Sequence, residues 1–158
     1  MHCIAQRGYF MQIKNISNRK NETKDAMRLV RTVFMRFEAP DYSDEGIRTF
    51  LDFIDSEANT NLLALYAAYD GDELRGVIAI RNGGNHISLF FVDEHYQGQG
   101  IGRQLFETAW MHCSHSDMTV NASPFAVKIY ERLGFRATDD EQTVNGIRFT
   151  PMRRCGAS

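Results

Sequence analysis

His86-Ile-Ser-Leu-Phe-Phe-Val92-Asp-Glu-His-Tyr-Gln97-Gly98-Gln99-Gly100-Ile101-Gly102-Arg103-Gln-Leu105 is the stretch on which the reading of this chain turns. An apolar run rich in strand formers ends at Val92. A short polar loop with three alternating glycines follows, and a helical pattern begins. Glycine lets the backbone take conformations barred to other residues and approach a ligand closely. Unpaired N–H groups at the start of a helix favour an anion. The stretch reads as a strand that feeds a phosphate into the mouth of a helix.

Three readings compete for Gln97-Gly98-Gln99-Gly100-Ile101-Gly102. A dinucleotide fingerprint needs G-x-G-x-x-G in a doubly wound parallel sheet, and here the third glycine comes one residue early. A P-loop needs a Gly-Lys-Ser/Thr ending, which is absent. The third reading is a glycine-rich surface turn without a ligand.

Upstream, residues 62–69, 74–81 and 86–92 form three short apolar runs. Asp70-Gly-Asp-Glu73 and Asn82-Gly-Gly-Asn85 separate them and read as hairpin turns, which predicts an antiparallel meander. Met27, Val30, Val33, Phe34 and Phe37 recur at helical spacing, so residues 21–37 read as an amphipathic helix ended by Pro40. Ser43 reads as the N-cap of a second helix, with Asp44 and Glu45 in its first turn and Ile47, Phe50, Leu51 and Ile54 as its stripe. Downstream, Ile101, Leu105, Ala109 and Cys113 mark a helix of about four turns. A strand at residues 118–122 is expected to run parallel to the one ending at Val92, because a helix crosses between them. Ser123-Pro124 reads as the start of the last helix, with Phe125, Ile129 and Leu133 inward and Gly134 as its stop. Residues 147–152 read as a final strand.

With 158 residues, 43% hydrophobic and 24% charged, the chain reads as one α+β globular domain. A net charge of −2 gives no electrostatic case for nucleic acid or an anionic membrane. The longest apolar run is far shorter than the ~20 residues a spanning helix needs. Residues 1–10 lack the apolar core of a signal peptide. Met11 is an alternative start, with residues 1–10 as a disordered leader, 11–153 as the domain and 154–158 as a tail. Cys3, Cys113 and Cys155 are odd in number and widely spread, which points to a reducing cytoplasm. His112-Cys113-x-His115 fits no usual zinc spacing, so no metal is expected.

Gln97-x-x-Gly100-x-Gly102, after a strand and opening a helix, resembles the acetyl-CoA pyrophosphate loop of the GNAT superfamily of N-acyltransferases. Ala126-Val-Lys-Ile-Tyr130-Glu-Arg-Leu-Gly-Phe135 resembles that family's second signature, a helix ending Tyr-x-x-x-Gly-Phe. The element order is similar from about residue 11 to residue 152. The resemblance implies a mostly antiparallel twisted sheet of six to seven strands, splayed at a parallel pair, with about four helices. It also implies acetyl-CoA as co-substrate and transfer to a primary amine in a small molecule or peptide. A monomer or homodimer is expected. The alternative is a non-catalytic acyl-CoA-binding or regulatory module.

By the same resemblance, backbone N–H groups of Gln97, Gly98, Gln99, Gly100, Ile101, Gly102 and Arg103 hold the pyrophosphate. The Arg103 side chain either contacts a phosphate or stays solvated. Backbone at Phe91 and Val92 pairs with pantetheine like an added strand. The gap between Val92 and Asn121 admits the thioester arm. Ser123 stands where the family often has Asn.

Acyl transfer to an amine of pKa ≈ 10.4 requires deprotonation that costs roughly 4–5 kcal/mol at neutral pH, so a base is expected. His86 is the leading candidate: strand alternation places it with Ser88 and Phe90 on the face of Val92, where several GNAT enzymes carry a Glu or His base. The alternative is that His86 only begins a strand. Glu38, Asp41 and Glu94 are weaker candidates, since loop acids are usually solvated. Tyr130 matches the family tyrosine near the thioester sulfur. Full transfer of its proton to a thiolate is uphill by about 2 kcal/mol, so hydrogen bonding comes first. A backbone N–H near Val92, at a β-bulge, is expected to meet the oxyanion. Cys113 reads as packing rather than as an acylated nucleophile, which favours direct transfer in a ternary complex. The two N-terminal helices and the loop at 136–146 are expected to shape the acceptor site. There Glu38, Asp41, Asp44, Asp139, Asp140 and Glu141 either attract a cationic amine or are solvated turn acids.

Overall fold

The computed structural model describes residues 11–81, 84–114 and 116–156. The leader with Cys3, the Asn82-Gly83 part of the second turn, and His115 lie outside the described residues. The meander is present as β2 (Leu63–Asp70), β3 (Glu73–Arg81) and β4 (His86–Val92), with β1 (Gln12–Asn15) added antiparallel on β2. Asp70 pairs with Glu73, which leaves the two-residue loop Gly71-Asp72 that the sequence predicts. β5 (Asp117–Ala122) runs parallel to β4, and β8 (Ile147–Cys155) closes antiparallel against β5. The final strand thus runs three residues beyond its expected end at Met152. Short strands β6 (Arg136–Ala137) and β7 (Gln142–Val144) both pair with β8. Among the described residues they bring the sheet to eight strands, against the six to seven expected.

Strand alternation divides the core in two. Leu63, Leu65, Ala67, Val77 and Ala79 face α1 (Lys20–Phe37) and α2 (Asp44–Asp55), packing on Val30, Phe34 and Ile54. Tyr66, Ala68, Ile78 and Ile80 face α4 (Ile101–His112), packing on Ile101, Leu105 and Phe106. A one-turn helix, α3 (Glu57–Thr60), follows α2 and makes five α-helices among the described residues. Ser43 caps α2, its hydroxyl accepting from the Gly46 N–H at 3.2 Å. Cys113 lies just beyond the C-terminus of α4, one residue outside the helix expected to contain it.

The last helix, α5 (Val127–Arg132), starts later than Ser123-Pro124 suggests. Residues 124–126 form a turn, in which the Ala126 N–H donates to the Ser123 carbonyl. Proline suits the start of a turn as well as that of a helix, and here the turn prevails. Phe125 and Ile129, expected inward, are 38% and 37% exposed, while Tyr130 and Leu133 are buried. Gly134 ends the helix at φ +95°, with the Phe135 N–H donating to the Tyr130 carbonyl.

A second correction concerns β4. Its register against β3 shifts by one residue between Ile87 and Leu89, so Ser88 is a bulge. Ile87 therefore packs with Phe90 and Val92, and Leu89 and Phe91 pack on the opposite side. His86 falls on the α1–α2 side, opposite the face that unbroken alternation predicts. The bulge lies four residues before Val92, not beside it.

Candidate active site

Residues 97–103 form the first component. Gly98 and Gly100 adopt φ +79° and +85°, and a Cβ at either would meet nothing within 4 Å, so the backbone there is bare. Gly100 is the N-cap of α4. The N–H groups of Ile101, Gly102 and Arg103 have no partner among the described residues, which leaves a set of donors at the positive end of a helix. Gly102 has a different role. A Cβ there would lie 3.4 Å from the Phe90 ring, which places the start of the helix in contact with β4. Gln97 turns back, and its Nε2 donates to the Val92 carbonyl at 3.0 Å. The Ile101 side chain is in the core, and Arg103 Nη2 donates to the Arg132 carbonyl at 3.3 Å.

The second component is a gap in the sheet. β4 and β5 pair only at His86–Thr119 and Ile87–Val120, and the strands part beyond that point. The edge of β4 from Ser88 to Val92 is thus unpaired toward β5 among the described residues. Asn121 and Ser123 stand on the far side of the split.

Two clefts open from this gap. One, of about 300 Å³, lies against Val92, Tyr96, Gln97, Gly98, Gly102, Phe125 and Ile129. The other, of about 410 Å³, is walled by Tyr42, Phe50, Phe53, Arg81, His86, Asn121, Ser123 and Ile147. Both border Glu38, Phe90, Phe91, Ala126 and Tyr130, so they meet at those five residues.

The junction is electrostatically unusual. Glu38, which follows the last turn of α1, has its pKa pushed up to about 7. Burial is the main cause, and the Asp41 charge adds to it. The Ser123 hydroxyl pulls the other way, but too loosely to count as a made bond, since buried Ser123 Oγ has no hydrogen-bond partner within reach among the described residues. The Tyr130 ring packs on Phe90 and Phe135, and its phenol is pushed up by burial first and by Glu38 second. Tyr42 is raised in the same way, by burial and then by Glu38 and Asp41. His86 is different: burial, followed by the Arg81 charge, lowers it to about 4. Its Nδ1 lies 2.8 Å from Thr119 Oγ1. At pH 7 Glu38 is divided between its two forms, and His86 is a neutral, weak base.

The expected acidic cluster is largely engaged elsewhere. Arg148 pairs with Glu141 at 3.1 Å and donates to the Asp41 carbonyl at 3.4 Å, which ties the β7–β8 hairpin to the turn after α1. Asp139 accepts from the Asp140 N–H and from Gln142. Glu94 pairs with Arg36 at 3.5 Å. Asp44 belongs to the first turn of α2. Among the described residues no group of three His, Cys, Asp or Glu side chains is placed to hold a metal, and no helix is long and apolar enough to cross a membrane.

Of the residues singled out from sequence, Phe91, Val92, Gln97, Gly98, Gly102 and Tyr130 line the first cleft, and His86, Asn121 and Ser123 line the second. Tyr42, Phe50, Phe53, Arg81 and Tyr96 line them without having been marked as site residues. Apolar periodicity assigns Phe50 to a helix stripe and cannot tell a core from a cavity wall.

The family model of the Acetyltransferase (GNAT) domain matches residues 38–155. A spermine/spermidine N(1)-acetyltransferase of Bacillus subtilis (strain 168) is 27% identical over 82 residues, 48% of this chain and 49% of the relative. The chain thus spans about half the length of the curated relatives it matches. A GCN5-related N-acetyltransferase from Rhodopseudomonas palustris superposes with a TM-score of 0.77 at 19% identity, over 92% of this chain and 95% of that one. The PaiA N-acetyltransferase of Thermoplasma acidophilum, solved with coenzyme A, gives 0.64 at 18% identity, over 92% and 99%. At these identities the solved structures establish the fold alone.

Proposed function

For a chain that belongs to the Acetyltransferase (GNAT) domain family, we propose transfer of an acetyl group from acetyl-CoA to a primary amine, with direct attack in a ternary complex. The observation that carries the reading is the meeting of two clefts at Glu38 and Tyr130. The first cleft suits the coenzyme and the second the amine.

The residues present fit acetyl-CoA on three grounds. The backbone around Gly98 and Gly100 is bare, the N–H groups opening α4 are unpartnered among the described residues, and the β4 edge beside the split has no strand partner beyond Ile87, its Val92 carbonyl being held by the Gln97 side chain. In this reading the N–H groups of residues 97–103 hold the pyrophosphate. Backbone at Phe91 and Val92 pairs with pantetheine, and Asn121 and Ser123 flank the arm. Acetyl-CoA supplies an acetyl group already activated as a thioester.

Glu38 is the base in this proposal. A general base works best with a pKa near the operating pH, which about 7 satisfies and about 4 does not. Glu38 also borders both clefts, whereas His86 borders only the acceptor side. Tyr130 donates a hydrogen bond to the departing sulfur. Its raised pKa keeps the phenol protonated and so available as a donor. Cys113 supports direct transfer by its position: it lines neither cleft and lies near the Asp117 carbonyl.

The test is calorimetric titration with acetyl-CoA, followed by thiol release across a panel of primary amines. Saturable binding with amine-dependent thiol release is expected. Absence of binding at millimolar acetyl-CoA overturns the coenzyme assignment. Binding without release for every amine favours a non-catalytic acyl-CoA-binding module.

A further inference from the structure

The acceptor cleft has one ionisable acid, Glu38, at its junction with the coenzyme cleft, and one cation, Arg81, at its other end. Arg81 makes no ion pair or side-chain hydrogen bond among the described residues, so its charge is uncommitted. It lies close enough to His86 to act on that ring, and neutral His86 adds no charge of its own at neutral pH. Between the two ends the walls are aromatic: Tyr42, Phe50 and Phe53 are each half-buried. Phe50 stacks on Phe34 at 3.9 Å and meets Phe91 edge-on at 5.9 Å, which fixes that wall.

On the basis of the acetyltransferase reading above, we propose that the acceptor is an amine with an aromatic or apolar body and an anionic group at its far end, the nitrogen lying at Glu38 and the anion at Arg81. Length narrows the class further. Glu38 borders the cleft beside Phe90 and Phe91, while Arg81 acts beside His86, about 13 Å back along β4 at ~3.3 Å per residue. An α-amino acid, with its carboxylate one carbon from the nitrogen, is too short to engage both ends. An ω-amino carboxylate or a short peptide with a free N-terminus matches the span. A polyamine does not, because its second ammonium would meet the Arg81 cation instead of a carboxylate.

The experiment compares three acceptors by kcat/KM at fixed acetyl-CoA: 4-(2-aminoethyl)benzoate, 2-phenylethylamine and spermidine. The first two share amine and ring and differ only in the carboxylate. The expected preference for the carboxylate is about twofold to fivefold, the range for a largely solvated charge pair. Arg81→Gln is expected to bring the ratio to about one, and Arg81→Glu to invert it. Because the ratio is measured within one protein, loss of folded enzyme in a variant does not mimic the effect. Equal turnover of the two ring amines, a ratio unmoved by either variant, or faster turnover of spermidine overturns this proposal and leaves the acetyltransferase reading intact. Turnover of no amine overturns both.

Discussion

The first cleft takes Gln97, Gly98 and Gly102 from one seven-residue loop, whereas the walls peculiar to the second, among them Tyr42, Phe50, His86, Ser123 and Ile147, come from separate parts of the chain. At that loop the first cleft meets bare glycine backbone beside the N–H groups that open α4, whereas the second is walled by side chains throughout. A backbone site is written in one place, since it needs glycines and a helix start in a fixed order. A side-chain site exists only after the strands have paired and the helices have docked. One substitution in the loop should therefore act on the coenzyme alone, and one at the junction should act on both substrates.

The junction offers the most severe way to break this division. Glu38→Gln is expected to lower kcat/KM by about 10²- to 10³-fold, the usual contribution of a positioned base. In the wild-type protein kcat/KM should climb through a midpoint near pH 7 as Glu38 ionises, and the variant should lack that limb. The folded pKa lies above the ordinary value of 4.5, so the stability associated with the neutral carboxyl is present below about 4.5 and lost as pH rises through 7. Glu38→Gln should thus be the more stable protein at pH 8, by ~1–3 kcal/mol in urea titration. A pH profile unchanged by the substitution would remove Glu38 from the mechanism.

Tyr130→Phe comes next, with an expected loss of about 10- to 100-fold in kcat and little change in either KM, because the hydrogen bond forms as the sulfur departs. Equal kcat values would assign the ring to packing alone. Gly100→Ala tests the backbone cleft. An L-residue at φ +85° costs roughly 1–2 kcal/mol, so the KM for acetyl-CoA should rise about tenfold while that of the amine stays level. A matching rise in the amine KM would mean that the clefts are not separable. His86→Ala should have the smallest effect, less than about fivefold, since it removes a neutral ring bonded to Thr119. A loss as large as that of Glu38→Gln would restore His86 as the base.

How much was legible in the sequence follows the same division. The loop, the strand before it, the parallel crossover and the Tyr130–Gly134 helix end all rest on local signals, and all are present. The bulge at Ser88 left no local mark, since Ile-Ser-Leu reads as ordinary alternation. The shift arises in pairing with β3, and it moved His86 to the other face. Phe125 and Ile129 read as inward because they are apolar, although here apolar side chains line a cleft. Glu38 looked like any acid after a helix until Ser123 and Tyr130, more than eighty residues away, closed around it.

The two rungs that join β4 to β5 have a mechanical meaning. The sheet consists of two leaves, β1 to β4 and β5 to β8, stitched at one end of a shared seam and open at the other. A molecule threaded into the open end continues the seam and becomes part of the joint. The resistance of this domain to being pulled apart between its leaves would therefore rise with a molecule seated in that open end.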